Sequence, residues 1–336
     1  MIPAIEQKLK ATAYAFDAPV NHGCFSHNGL ACAFGLGDGY VHIVRGDQRK
    51  TIKAHTGAVP IIKPYGQDSF ITLSDDGTLK HIDGADTLYD VADFKGAWTE
   101  RMDAHDNGSI AVAVGRHVYL WTRLDAEPKI IGPHDGTVND VYFAPDGMGL
   151  AAAHRDGVTL WAWPHFEPQP MQLPWKGAHL AVTVSADKRW IVTAMQEGAL
   201  HMWNVALKRD YQMRGYWAKP TQMAWSADRK WLGTSGAESV ILWPFDKGGP
   251  DGREAMQLGW SNATFVTAIA AHPDAPIMAA GFEDGAVVML DLAQKKAFSA
   301  GPATGHAVTT LAFAPTGDSL LAGRVQGGGV IFSLME

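Results

Sequence analysis

Hydrophobic and polar positions alternate in short bursts along the whole chain, and the bursts recur. The runs VNDVYF from Val138, LAVTV from Leu180, TQMAW from Thr221, VTAIA from Val266 and VTTLAF from Val308 have a period near two. That period marks strands with unequal faces. After each comes a turn and a more uniformly apolar run: APDGMGLAAA from Ala144, SADKRWIVTA from Ser185, SADRKWLGTS from Ser226, HPDAPIMAAG from His272 and APTGDSLLAG from Ala314. Pro, Asp and Gly supply the reversal, and the apolar run predicts a buried strand. Fainter copies begin at Ser26 (SHNGLACAFG), near Gly66 (GQDSFITLS) and at His105 (HDNGSIAVAV), which makes eight. A third strand follows each copy, as in GTLKHI from Gly77, RHVYLW from Arg116, GALHMW from Gly198 and GAVVML from Gly285. Most copies add a fourth, more polar strand, such as RKTIK from Arg49 or RDYQM from Arg209.

Length then becomes informative. The 336 residues divided by eight give 42 per unit, and four strands in about 40 residues is the repeat of a β-propeller blade. One such unit cannot bury both faces of its sheet, so neighbours must stack radially and the two chain ends must meet. The expectation is an all-β, single-domain β-propeller over 1–336, with eight four-stranded blades starting near residues 20, 58, 97, 137, 178, 219, 265 and 307. Seven blades are the alternative. The last unit, ending GGVIFSLME, lacks a fourth strand, and residues 7–16 are free to supply it and close the ring. Truncating Met1 to Phe16 is therefore expected to destabilise the whole protein.

At these residues the chain resembles the WD40-repeat family, in degenerate form. His55 in AHTGAV and His134 in PHDGTV occupy the family's histidine position, and His306 in TGHAV approaches it. The acid of the turn between second and third strands appears as Asp38, Asp76, Asp156, Glu197 and Asp284, and Trp121, Trp161, Trp203 and Trp243 end third strands. Val44, Ile82, Leu290 and Phe332 replace that tryptophan elsewhere; Trp203-Asn204 and Leu290-Asp291 each keep half of the Trp-Asp pair. The resemblance spans nearly the whole chain. It implies that His, Asp and Trp, with a Ser or Thr of the second strand, form a hydrogen-bonded structural tetrad. His55, Asp76, His134, Asp156, Trp161, Trp203 and Trp243 are the tetrad-like residues here, structural rather than catalytic.

Composition and charge remove other classes. The net charge of -7, with lysine and arginine scattered, provides no basic stripe for nucleic acid. No run of about 18 apolar residues exists to span a bilayer, and Glu6, Gln7, Lys8 and Lys10 interrupt any leader-like stretch. The expected location is the cytoplasm, with Cys24 and Cys32 a reduced, buried pair flanking the first hairpin. GLGDGY from Gly35 lies between strands and reads as a β-turn rather than a phosphate loop. The absence of GxSxG, HExxH and Cys-x-x-Cys leaves no catalytic signature, and His22 with His27 lacks a third zinc ligand. No catalytic residue, metal or cofactor is assigned, and the oligomeric state is left open.

Function is then sought on the propeller faces and in the channel. Loops joining one unit to the next carry Phe94, Trp98, Trp175, Tyr216, Trp217, Trp260 and Phe265. Trp175 and Tyr216 align with His134 and are expected to be buried, whereas Trp217 and Trp260 are expected to be exposed. Turns on the same face carry Arg155, Glu197, Glu238 and Glu283. Trp98, Trp217, Trp260 and Phe265 with these four charged residues make a candidate partner-binding face for a protein or peptide, a basic one suiting the glutamates. The expected role is a non-catalytic scaffold or adaptor; the alternative is an enzyme, small-ligand or metal-binding propeller that uses the central channel.

Overall fold

The computed structural model describes residues 5–6, 9–165 and 169–334, and β-strands are the regular structure throughout. Each repeat runs as an antiparallel meander. The first is Val20–Phe25, Cys32–Leu36, Tyr40–Arg45 and Gln48–Lys53, paired in that order. Its second strand is buried along its full length and its fourth is largely exposed, so burial falls from the inner strands to the outer edge. Charged residues Arg49, Lys50 and Lys53 on that outer strand discourage pairing with another chain's edge.

The described residues form seven hydrogen-bonded sheets, the alternative count, and not eight separate four-stranded ones. The repeats starting near 137 and 178 account for the difference, because they share one six-stranded sheet. Gly149–Ala162 pairs through its first half with Asp140–Phe143 and through its second half with Met171–Val184; the latter's own second half pairs with Trp190–Met195. Neither 14-residue segment is straight. An extended run from residue 148 to 163 would span about 50 Å. Yet Trp163 N donates to Met148 O at 3.4 Å and His154 Nε2 lies 2.9 Å from Thr159 Oγ1, so the chain doubles back at Arg155–Gly157. The connection between the two repeats is so short that β pairing continues through it, at Arg155 opposite Ala178.

Packing keeps all the repeats distinct. Eight apolar clusters occur among the described residues, one at each boundary between successive repeats, including the boundary between the last and the first. At that last boundary the strand Lys10–Ala15 adds antiparallel to Gly328–Ser333, from Lys10 opposite Ser333 to Ala15 opposite Gly328. Tyr14 is buried there, and Phe16 stands 5.2 Å from the Phe34 ring. Residues 7 and 8 of the segment 7–16 lie outside the described residues. A further short strand, Ile5–Glu6, lies parallel to Phe298–Ser299 at the outer edge of the preceding sheet.

Cys24 and Cys32 are both reduced and buried, but on opposite faces of their sheet. Cys24 packs toward the second repeat and Cys32 toward the last. Burial pushes the Cys32 thiol up to about 12 and raises Cys24 further.

Side chains join each repeat to the next. Lys63 Nζ is 3.2 Å from Asp103 Oδ1, Phe143 N donates to Asp103 Oδ2 at 2.9 Å, and Val182 N donates to Asp140 Oδ2 at 2.8 Å. Thr267 Oγ1 donates to Val308 O at 2.7 Å, and Thr309 Oγ1 donates to Val20 O at 2.6 Å across the ring closure. At the opposite end, first-turn histidines serve the same purpose. His105 Nδ1 accepts from Asn107 N within its own turn, while its Nε2 donates to Pro145 O of the next at 3.3 Å. His272 likewise holds Asp274 N and donates to Gly317 O at 3.1 Å. Both recipient turns place glycine under the ring: a Cβ on Gly147 would sit 2.8 Å from His105, and one on Gly317 would sit 2.3 Å from His272.

Candidate functional site

The histidines and tryptophans at the tetrad positions are tied into the framework. His55 Nδ1 donates to Thr78 Oγ1 at 2.7 Å, its Nε2 is 2.8 Å from Thr72 Oγ1, and Thr78 Oγ1 donates to Asp76 Oδ1 at 2.7 Å. The nearest His55–Asp76 approach is 3.8 Å, so the threonine relays the contact. Burial, opposed by the nearby Asp76 charge, takes His55 down to about 4. Asp76 also accepts from Thr56 N at 2.9 Å and Gly57 N at 3.2 Å. Burial opposes its ionisation, but the hydrogen bonds from Thr78, Thr56 and Gly57 outweigh that and hold the carboxyl well below the usual range.

The other repeats vary the arrangement. His134 Nδ1 donates to Arg116 O at 2.9 Å, and its Nε2 accepts from Trp161 Nε1 at 3.2 Å. Asp156 turns instead to Gly177 N, at 2.9 Å. Two repeats later Tyr216 stands in the histidine's place: Trp243 Nε1 donates to its hydroxyl at 2.7 Å, and that hydroxyl lies 2.6 Å from Thr234 Oγ1. Between them, Trp175 stacks on His201 with ring centroids 3.9 Å apart, and Trp203 meets His201 edge-on at 4.5 Å. His201 is fully buried and neither ring nitrogen makes a hydrogen bond; burial, helped by neighbouring His179, lowers it to about 3.

Second-to-third-strand turns and inter-repeat loops meet on one face, because they hydrogen-bond to one another. Phe94 N donates to Gly77 O, Gln196 N to Ala178 O, and Glu283 N to Phe265 O. Trp217 is 86% exposed, Trp98 66% and Trp260 38%. Phe265 is half-buried, its amide 3.4 Å from Glu283 Oε2, while Arg155, Glu197, Glu238 and Glu283 all reach solvent. Trp190 is buried instead, against Phe245.

Two cavities open here. The larger, about 1360 Å³, lies over the third to fifth repeats with Trp175, Glu197 and Arg155 in its lining. It also takes in Arg116 and Arg214, which lie in loops outside the strand periodicity, and Lys176, an exposed position within Met171–Val184 where that strand passes from one repeat to the next. The central channel is the second, about 690 Å³, with Trp98 and Lys219 among its lining residues. Lys63, Asp103 and Asp140 line it, but largely as the repeat-to-repeat ties described above. Burial pushes Asp140 up to about 6 against its hydrogen bond from Val182. Their signal in the sequence is the spacing itself: Lys63 to Asp103 is 40 residues and Asp140 to Val182 is 42, close to one repeat. Among the described residues no group of three or more His, Cys, Asp or Glu side chains is placed to hold a metal ion, and no helix is long and apolar enough to cross a membrane.

No protein-family model and no curated protein sequence matches the chain. Solved structures do. The C-terminal WD40 domain of Sif2 superposes with a TM-score of 0.77 at 13% identity, covering 99% of this chain and 100% of that one. The computationally designed Ika8 protein superposes with a TM-score of 0.76 at 16% identity, over 95% of this chain and 97% of that one. Together with the meander repeats, the apolar cluster at every repeat boundary and the closing N-terminal strand, these likenesses give the chain the β-propeller fold of a WD40 domain.

Proposed function

We propose that the protein is a non-catalytic interaction scaffold that binds a protein or peptide on the face carrying Trp98, Trp217, Trp260 and Phe265. The observation that supports this reading is the exposure of Trp217 and Trp98 on loops of one face, whereas most tryptophans of the chain are wholly or largely buried. Large aromatics left in water cost free energy, and buried aromatics dominate the energetics of interfaces. Exposed Glu238 and Glu283 lie on turns of the same face and suit basic groups on the partner. The hydrogen-bonded state of His55 and Asp76 fits a framework role better than acid-base chemistry. Two buried, reduced thiols fit the cytoplasm.

The test is a Trp98→Ala, Trp217→Ala double variant, purified alongside the wild type and used to capture partners from native-host extract, with capture read by mass spectrometry. Both side chains are solvent-facing, so the variant should keep its unfolding midpoint and lose the partners that the wild type retains. An unchanged set of captured proteins would refute the assignment of this face.

A further inference from the structure

The cavity over the third to fifth repeats has a charge pattern at odds with the rest of the molecule. The chain as a whole carries a net charge of -7. This cleft presents four cations, Arg116, Arg155, Lys176 and Arg214, against three acids, Asp135, Asp156 and Glu197, a local balance of 4 − 3 = +1. All four cations are exposed. Their charges are poorly neutralised from within. Lys176 has no ion-pair or hydrogen-bond partner among the described residues, and Arg214 donates only to the neutral Gln212 side chain, at 2.8 Å. Arg116 donates to a backbone carbonyl, His134 O at 2.7 Å, and Arg155 stands 3.7 Å from Asp156. Asp156 itself is held by Gly177 N.

The floor is suited to an extended chain. Trp175 is half-buried in it, fixed in place by its stack on His201, and so offers a rigid apolar surface. Gly215 also lines the cleft, and with no side chain it leaves the backbone open there to a visiting chain. Nothing lies within 4 Å of the position a Cβ would take on Gly215.

Resting on the scaffold reading above, we propose that this cleft receives an extended acidic peptide segment, its carboxylates paired with Arg155, Lys176, Arg214 and Arg116 and its backbone lying across Trp175. Charge complementarity selects the acidic class. A guanidinium accepts a carboxylate through two parallel N–H donors, which a cleft holding three arginines supplies repeatedly. Asp135 and Glu197, which share the lining with the cations, disfavour a uniformly charged nucleic-acid backbone, whereas a peptide with spaced carboxylates tolerates them.

The experiment uses fluorescein-labelled decaglutamate, decalysine and a Gly-Ser decamer with the full-length protein, read by fluorescence anisotropy at low and high salt. Decaglutamate should bind in preference to both controls and weaken with salt. An Arg155→Glu, Lys176→Glu, Arg214→Glu variant should weaken it roughly tenfold, the product of three exposed charge contacts. The variant's urea midpoint, expected near the wild-type value, controls for folding. Decalysine binding as tightly as decaglutamate, or decaglutamate binding unaffected by the triple reversal, would overturn the proposal. The tryptophan variant of the previous section separates the two ideas: it should retain decaglutamate binding, and loss of its captured partners bears on the wider face alone.

Discussion

Replacing Tyr14 with alanine tests whether the N-terminal strand holds the ring closed or merely lies on it. Tyr14 is 9% exposed, 5.9 Å from the Phe34 ring, with the Arg49 guanidinium 4.6 Å over its face. Truncating a buried aromatic to alanine costs about 3–5 kcal/mol. This site is at the margin of its cluster, so the lower end applies, with about 0.5–1 kcal/mol more for the lost cation–π contact. A total of about 3–4 kcal/mol, divided by a urea m-value of about 3 kcal/mol per M, moves the midpoint down by roughly 1 M. The tryptophans make a discriminating assay, because all 12 lie between Trp98 and Trp260, in repeats other than the two that meet at the closure. If closure is cooperative, their fluorescence reports the full shift from across the ring. Thr12→Ala, at an exposed position of the same strand, should leave the midpoint in place. A tryptophan midpoint unmoved by Tyr14→Ala, with an early circular-dichroism change alone, would show that the strand frays independently and that the ring does not need it.

Two further predictions concern partly buried polar groups. Tyr216→Phe removes the hydroxyl that accepts from Trp243 and contacts Thr234, leaving a part-buried indole N–H unpaired; a loss of about 1–2 kcal/mol in urea unfolding is expected. In a double-mutant cycle with Trp243→Phe the two losses should be strongly non-additive, and simple additivity would refute the relay. Asp140 has its folded-state pKa raised from 3.8 to about 6, so the native state holds a proton more tightly than the unfolded state. Stability contributed by that proton is present below pH 4 and falls as pH rises toward 6. Asp140→Asn should lack this part of the slope, which unfolding midpoints measured from pH 4 to 7 would reveal; an identical pH profile would contradict the assignment.

The repeats are legible in the sequence because their turns are chemical: Ala144-Pro145-Asp146-Gly147 and Ser226-Ala227-Asp228-Arg229 reverse the chain through local residue preferences. The merging of two repeats into one sheet is not legible. It depends on how far backbone pairing runs through the Trp175–Ala178 connection, a matter of register that leaves no mark in residue type. The alignment of Tyr216 with His134 is visible in the chain, and the hydrogen bond from Trp243 gives it meaning. Cys24 and Cys32 illustrate the converse: closeness in a hairpin is readable, but which face each thiol takes follows from the register of Cys24 opposite Ala33 and Phe25 opposite Cys32. Of the cleft cations Arg155 is legible as a turn residue of the face, whereas Arg116, Lys176 and Arg214 are not, because only the fold brings the four together from separate repeats.

The first-turn histidines impose an order on the units. A repeat opening with His105 or His272 must be followed by one with a bare glycine beneath the imidazole, since a Cβ at Gly147 or Gly317 would collide with the ring. Units opening on serine, such as those at Ser185 and Ser226, turn inward to bond their own aspartates and make no such demand. Cutting the gene into blades and reshuffling them would therefore succeed for some junctions and fail for others. A histidine unit and its successor form an inseparable cassette, and the ring, for all its pseudo-symmetry, has a grammar that fixes which neighbour may follow which.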